Sequence, residues 1–342
     1  MKRFTVSLGI GIIGLILVSG VALAAAPFFE GKTIRIIVGY SPGGGYDAYA
    51  RVLSRHMGRH IPGNPAMIVE NMAGAGSLIS ANTLYKVAKP DGLTIGHFNG
   101  GLCFNQVLGQ PGIEFDARKF IFIGAAVKED SVVVCTKASG ITSLDKWIAS
   151  KTPVKLGGTG PGVYTPDNVI RIIKAALNLP IQLVSGYKGT ADIRLAAEGG
   201  ELAGSCWGWD AIKATWRKGL ESGEVLPVLQ AVPKPMPDIP NVPLAISLAK
   251  TDEARQLVEV GIHSNSIFAR PFVLPPETPT DRVELLRKAF METLKDKEFL
   301  AETEKAKLGI DAVTGEELEK TVAGAFKLDA ALLARMKDIL FK

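Results

Sequence analysis

Two glycine-built passages from strand to helix constrain this chain more than any other feature. Residues 33–39 (TIRIIVG) form a short β-rich run. It delivers Tyr40-Ser41-Pro42-Gly43-Gly44-Gly45-Tyr46 to a helical pattern that begins at Asp47. Further along, residues 154–157 lead through Gly158-Thr159-Gly160-Pro161-Gly162 into a second helical pattern over 165–177, with Thr165 as a candidate cap and Pro166 in the first turn. Consecutive glycines leave backbone N–H groups uncovered and open to an anion, which the helix dipole favours. Asp47 reads as a helix cap with a mainly structural role. One such loop on each side of a cleft is what a carboxylate held from both sides requires; tight turns alone are the competing reading.

Around these joins the chain alternates. Strand patterns at 33–39, 66–70 and 93–98 enclose helical patterns at 47–60 and 78–89, the order of a parallel sheet with helical crossovers. A second block repeats it, with strands at 131–136, 154–157, 181–185 and 201–206 and helices at 144–150, 165–177 and 191–198. Residues 232–243 (VPKPMPDIPNVP) hold five prolines and read as a rigid segment between lobes. A helix near 251–260, a strand at 267–273 and helices from 281 onward complete the chain. The fold class expected is α/β, with two lobes at 27–126 plus 247–342 and at 127–246. Each lobe is a mainly parallel sheet flanked by helices, and a ligand cleft lies between them.

Several chemistries are excluded or weak. Gly43-x-Gly45-x-x-Ala48 matches a dinucleotide fingerprint, and Glu70 ends the next strand, but Pro42 crowds the turn. No Gly-Lys-Ser/Thr follows either loop, which excludes a phosphate-binding loop of that type. No G-x-S-x-G elbow is present. His56 and His60 are four apart on one helix, as metal ligands can be, yet Arg59 stands between them and no third ligand accompanies them. No catalysis, cofactor or metal is expected. The net charge of +5 suits an anionic ligand and is too weak to argue nucleic acid. Cys103, Cys135 and Cys206 sit far apart among apolar or small neighbours, as buried small hydrophobes do; one disulfide between two of them is the alternative. Trp207 and Trp209 share a face of an extended chain, either as core or as a cleft wall.

The first residues carry an export pattern: Lys2-Arg3, an apolar run over 4–21, and Ala22-Leu23-Ala24 as a small-x-small exit. Cleavage near Ala24 and a free periplasmic protein are expected, against a single membrane anchor as the alternative. No Cys follows the run, so a lipid anchor is not expected.

The whole mature chain resembles the Bug family, the substrate-binding receptors of tripartite tricarboxylate transporters. The resemblance rests on the order and spacing of 34–47 (IRIIVGYSPGGGYD), Val69-Glu70-Asn71 with Gly74-Ala75-Gly76, Lys89-Pro90-Asp91-Gly92, Phe115-Asp116, Tyr187-Lys188-Gly189, Gly199-Gly200-Glu201 and 275–279. It implies a two-lobed, type II-like periplasmic-binding-protein fold with a carboxylate in the cleft. Ligand contacts map onto 40–47 and 158–163. The candidate ligand-binding residues are Tyr40, Ser41, Gly43, Gly44, Gly45, Tyr46, Asp47, Asn99, Thr159, Gly160, Val163, Tyr187, Lys188 and Trp207. Tyr46 stands where a small Thr is common, and 206–210 (CWGWD) is unusually aromatic, so aromatic or bulkier acids join di- and tricarboxylates as expected ligands. The implied role is capture without chemistry, as a monomer, for the membrane components of such a transporter; the alternative is the ligand-binding part of a sensing system for the same acid. Intact-mass measurement on protein recovered from its native periplasm should show a chain lacking residues 1–24, and an uncleaved chain that pellets with membranes would contradict this.

Overall fold

A computed structural model describes residues 27–160 and 162–341; the export pattern at 1–24 lies outside the described residues. Eleven strands form two open sheets. In chain order they are β1 (Thr33–Val38), β2 (Ala66–Asn71), β3 (Thr94–His97), β4 (Ile121–Ala125), β5 (Ser131–Thr136), β6 (Val154–Gly157), β7 (Ile181–Val184), β8 (Gly204–Gly208), β9 (Val225–Ala231), β10 (Pro271–Leu274) and β11 (Val313–Thr314). The first sheet has the order β11-β4-β10-β3-β1-β2 and the second β7-β6-β8-β5-β9.

Each sheet has a parallel part where strands are joined by helices. β1 pairs in parallel with β2 and β3, and β6 with β7 and β8. Antiparallel strands are added where the chain passes between lobes: β10 lies antiparallel between β3 and β4, and β5 antiparallel between β8 and β9. The sheets are therefore mixed. A strand entering from the other lobe has no crossover helix to reverse its direction.

Two strands carry weak sequence signals. β9 (VLPVLQA) contains Pro227, which argues against a strand interior. It is an edge strand, and its register against β5 shifts at Val133/Val134, beside Pro227, so the missing N–H is tolerated. β4 has no turn residue to announce it and follows Arg118-Lys119 after the single residue Phe120.

The proline-rich segment does not pass between lobes as expected. It folds back over β9, held by one buried side chain. Gln230 Nε2 donates to the carbonyls of Ile239 (3.1 Å) and Val242 (2.7 Å), and its Oε1 accepts from Met236 N (2.9 Å). Five prolines remove donors from this segment, so its carbonyls need an outside donor, and Gln230 supplies it. The chain leaves the first sheet after β4 and enters it again only at Pro271. In between, helix Asp252–Gly261 packs on helix Val169–Leu177 of the second lobe; a Cβ on Gly261 would lie 2.5 Å from Ile172 Cδ1.

Apolar faces close the layers. Helix Thr280–Thr293 buries Val283, Leu286, Ala289 and Phe290 against the first sheet, where Phe290 meets Phe272 of β10 with ring centres 5.4 Å apart. The three cysteines are free and buried. Burial pushes the thiols of Cys103 and Cys135 up to about 12, the behaviour of inert core residues. Because Phe290 is fully buried between sheet and helix, Phe290→Ala should lower unfolding free energy by about 3–5 kcal/mol in urea titrations; a loss below about 1 kcal/mol would mean this layer is not packed as described.

Candidate functional site

The first glycine loop does what its sequence requires. Gly43 has φ of 82°, open to glycine at little cost. Its N–H donates to Asp47 Oδ2 at 2.9 Å, while Asp47 also accepts from Arg51 Nε (2.8 Å) and Asn71 Nδ2 (3.0 Å). Burial opposes the Asp47 charge, but these three donors hold its carboxyl below the ordinary value. The helix Gly45–His56 starts without a side-chain cap on Gly44, so its first-turn amides at Gly45 and Tyr46 have no intrahelical acceptor.

The second loop is built differently. Asp167, almost wholly buried, places Oδ2 2.7 Å from the N–H of Thr159 and 3.1 Å from that of Gly160, and its Oδ1 accepts from Ser185 Oγ at 2.5 Å. Burial raises the Asp167 pKa above the ordinary value, against the pull of those donors. The donors that a ligand carboxylate was expected to use on this side are taken by the chain's own carboxylate. Thr165, expected as a cap, instead donates its hydroxyl to Glu129 Oε1 at 2.9 Å; helix Val169–Leu177 begins one irregular turn later.

Between the loops lies a buried ion pair. Glu129 sits in the connection from β4 to β5, and Arg270 directly precedes β10. Arg270 Nε and Nη2 both donate to the Glu129 carboxylate, the second at 3.0 Å. Glu129 also accepts from Gly208 N (2.7 Å). The Arg270 guanidinium lies over the rings of Tyr46 (5.0 Å) and Tyr49 (5.6 Å). Burial works against its charge, but Glu129 overrides it and holds the Arg270 pKa above its ordinary value. Arg270 Nη1 is buried without a hydrogen-bond partner among the described residues.

The Arg270 side chain lines a small cavity where the lobes meet. Tyr40, Gly44, Gly45 and Tyr46 line it from the first lobe, Thr159, Thr165, Thr190 and Trp207 from the second, with Arg270 at the join. Its volume is about 10 Å³, room for about one water, so an organic acid can enter only if the lobes part or side chains move. A Cβ on Gly45 would sit 2.7 Å from Arg270 Nη1 and 2.6 Å from Ala211 Cβ, so only glycine leaves room beside this nitrogen. Trp207 stacks on Trp216 at 5.7 Å, and its Nε1 is a second buried donor with no partner among the described residues. Tyr40 Oη lies beside Ser77 and Asn99 without closing a hydrogen bond to either.

The structure gathers Tyr40, Gly44, Gly45, Tyr46, Thr159 and Trp207 of the expected residues around this cavity. Ser41, Gly160 and Val163 join the lobes beside it: Ser41 Oγ donates to Asp192 Oδ2 (2.5 Å), its N–H to Lys188 O (3.1 Å), and Val163 packs against Gly76. Asn99 is buried one layer behind, where its Oδ1 accepts from the N–H groups of Gly101 (2.8 Å) and Tyr164 (3.3 Å). Gly43 and Asp47 brace the loop instead: Asp47, expected as a helix cap, lies inside the first turn and reaches back to the Gly43 N–H. Tyr187 points elsewhere, its Oη donating to Glu201 (2.6 Å), and the Lys188 side chain is exposed. Trp209 turns away from Trp207, because β8 ends at Gly208, and donates to Asp238 Oδ2 at 3.2 Å.

Sequence reasoning missed Arg270, Glu129, Thr165, Thr190 and Asp167 as site residues. One signal was present: Arg270 is the lone charge in an apolar run, 267–274 (IFARPFVL), and a buried charge requires a partner. Its partner is 141 residues away and carries no local mark. His56 and His60 lie on the outer face, His56 with Glu302 (2.6 Å) and His60 with Asp296 (3.0 Å). His56, Asp296 and Glu298 approach one another closely enough for a metal, but Arg59 ion-pairs with both acids and occupies the position a cation would take.

Comparisons with known proteins agree with this architecture. Residues 49–336 match the tripartite tricarboxylate transporter family receptor. A Cupriavidus necator UPF0065 protein from a gbd 5′ region is 27% identical over 80% of this chain and 78% of its own length. A Pseudomonas sp. (strain P51) UPF0065 protein from a tcbD–tcbE intergenic region is 29% identical over 48% of each; the chain spans about half the length of that relative. Among solved structures, the periplasmic binding protein BugD superposes with a TM-score of 0.73 at 18% identity, covering 91% of this chain and 98% of BugD. MatC from Rhodopseudomonas palustris, solved with bound malate, gives 0.70 at 19% identity over 91% of this chain and all of its own. Another R. palustris protein, solved with adipate, gives 0.72 at 18% over 90% and 98%. These likenesses establish the two-lobed periplasmic-binding-protein fold.

The ion pair makes a specific demand on stability. Glu129→Ala leaves Arg270 buried and uncompensated, which should cost about 3–5 kcal/mol in chemical unfolding, while Glu129→Gln combined with Arg270→Met should recover most of that loss. Additive effects of the two sites would show that the charges do not depend on each other.

Proposed function

The chain belongs to the tripartite tricarboxylate transporter receptor family, and from that premise we propose that it captures a small carboxylate-bearing metabolite in the periplasm for the membrane components of such a transporter. A receptor of this family binds its substrate and performs no chemistry on it. Among the described residues no helix is long and apolar enough to cross a membrane.

The observation that carries the carboxylate reading is Arg270 Nη1: a cationic N–H, buried and unpartnered among the described residues, on a side chain that lines the cavity and next to Gly45, which lines it too. A buried donor left without an acceptor is costly, and a carboxylate oxygen removes that cost with a charge-assisted hydrogen bond of about 1.5–3 kcal/mol. The first-turn amides of Gly45 and Tyr46 stand beside it, at the positive end of a helix dipole. Two structural relatives were solved with malate and with adipate, so the carboxylate group, though not the count of two, is the chemistry they share with this reading.

The proposed ligand contacts are Tyr40, Gly44, Gly45, Tyr46, Thr159, Thr190, Trp207 and Arg270. The proposed moving units are 27–126 plus 247–342 against 127–246, with helix Asp252–Gly261 riding on the second lobe. Because the contacts come from both units, ligand favours their approach by its differential affinity for the joined state. A thermal-shift screen over carboxylic acids should find at least one that raises the melting temperature, since a ligand of the folded form alone stabilises it. With that acid, small-angle scattering should show the radius of gyration falling on saturation, and Trp207→Phe should lose the fluorescence response. A constant radius together with an unchanged Trp207→Phe response would remove the cleft assignment.

A further inference from the structure

We propose that the site is built for an acid with a single carboxylate and discriminates against di- and tricarboxylates through its own buried acids, Glu129 and Asp167. This rests on the carboxylate reading above and narrows it to a charge class.

The charge inventory around the cavity is short. Among the described residues Arg270 is the one cation that lines it. Two of its nitrogens are committed to Glu129, which leaves Nη1 for a ligand. Glu129 is fully satisfied by Arg270, Thr165 and Gly208; the Gly208 N–H and Thr165 hydroxyl belong to the same lobe as Glu129 and hold its carboxylate in place beside the guanidinium. One incoming carboxylate therefore finds one charged donor, already half neutralised.

A second carboxylate on the same ligand would have to be met across the cavity, on the second lobe. There the amides of Thr159 and Gly160 are held by Asp167, whose other oxygen is held by Ser185. Lys188, the nearest cation on that loop, is exposed and does not line the cavity. Arg171, one turn beyond Asp167, favours the charge of that acid and does not line the cavity either. What remains on that side is neutral: the Thr159, Thr165 and Thr190 side chains and the unpartnered indole N–H of Trp207. These suit a hydroxyl, a carbonyl or an aromatic edge. A second carboxylate would be buried without a cation and close to Asp167, where desolvation and like charge both oppose it.

The test uses pairs of acids on one skeleton: benzoate with terephthalate, butyrate with succinate, hexanoate with adipate. Calorimetry and thermal shift are run on the full mature chain. At least one monocarboxylate should bind, at least tenfold tighter than its dicarboxylate partner. Asp167→Asn and Glu129→Gln, which keep shape and remove one charge each, should narrow that ratio in any variant whose unfolding remains cooperative. Two results overturn the proposal while leaving carboxylate capture intact: a dicarboxylate that binds as tightly as its partner or tighter, or a ratio unchanged in both folded variants. Failure of every acid, in these pairs and in the wider screen, overturns the carboxylate reading and this proposal with it.

Discussion

The buried Glu129–Arg270 pair is the interaction on which the rest of the structure depends. Each residue lies in one of the two connections between the sheets, so the pair joins them where they run side by side. Neither charge would be stable alone in that position. Together they dictate their surroundings. Gly45 and Gly208 are glycines because a Cβ on either would press on the guanidinium, and Tyr46 and Tyr49 supply ring faces to it. Thr165 and Gly208 complete the carboxylate. The cavity is what this arrangement leaves over.

The two glycine loops look alike in sequence and are not equivalent in chemistry. Both follow a parallel strand and both precede a helix. The first satisfies only Gly43 with its own acid, since Asp47 is turned outward to Arg51 and Asn71. The second folds its acid inward over two amides. The difference follows from where each acid sits: Asp47 stands in the first turn of a regular helix, whereas Asp167 stands in an irregular turn that brings it back beneath Thr159. One loop therefore keeps donors free while the other has consumed them, and the site is asymmetric in charge.

Much of the fold was legible because its signals are local. The strands at 131–136 and 154–157 coincide with their apolar runs, and the first loop announced its helix through consecutive glycines. What was not legible is non-local. The expected helix at 165–177 begins at Val169 because Thr165 is drawn to Glu129 rather than to its own helix. The proline-rich segment was misplaced because its anchors are side chains that precede it, Gln230 on its backbone and Trp209 and Lys213 on Asp238. At the site, Tyr40, Gly44, Gly45, Tyr46, Thr159 and Trp207 could be named from glycine chemistry, resemblance and aromatic content. Arg270 and Glu129 could not, because pairing across 141 residues has no periodicity to detect.

The paired connections also set the mechanics of the molecule. Two bodies joined by a single segment can swivel as well as bend. Here the connections at 126–130 and 262–270 run alongside each other, with Glu129 N donating to Ser266 O at 3.0 Å. Rotation about the long axis would shear that hydrogen bond and the ion pair together, whereas bending across the two segments need strain neither. For the proposed closure this leaves the joint one soft degree of freedom, so the two faces of the cleft would meet in the same register each time.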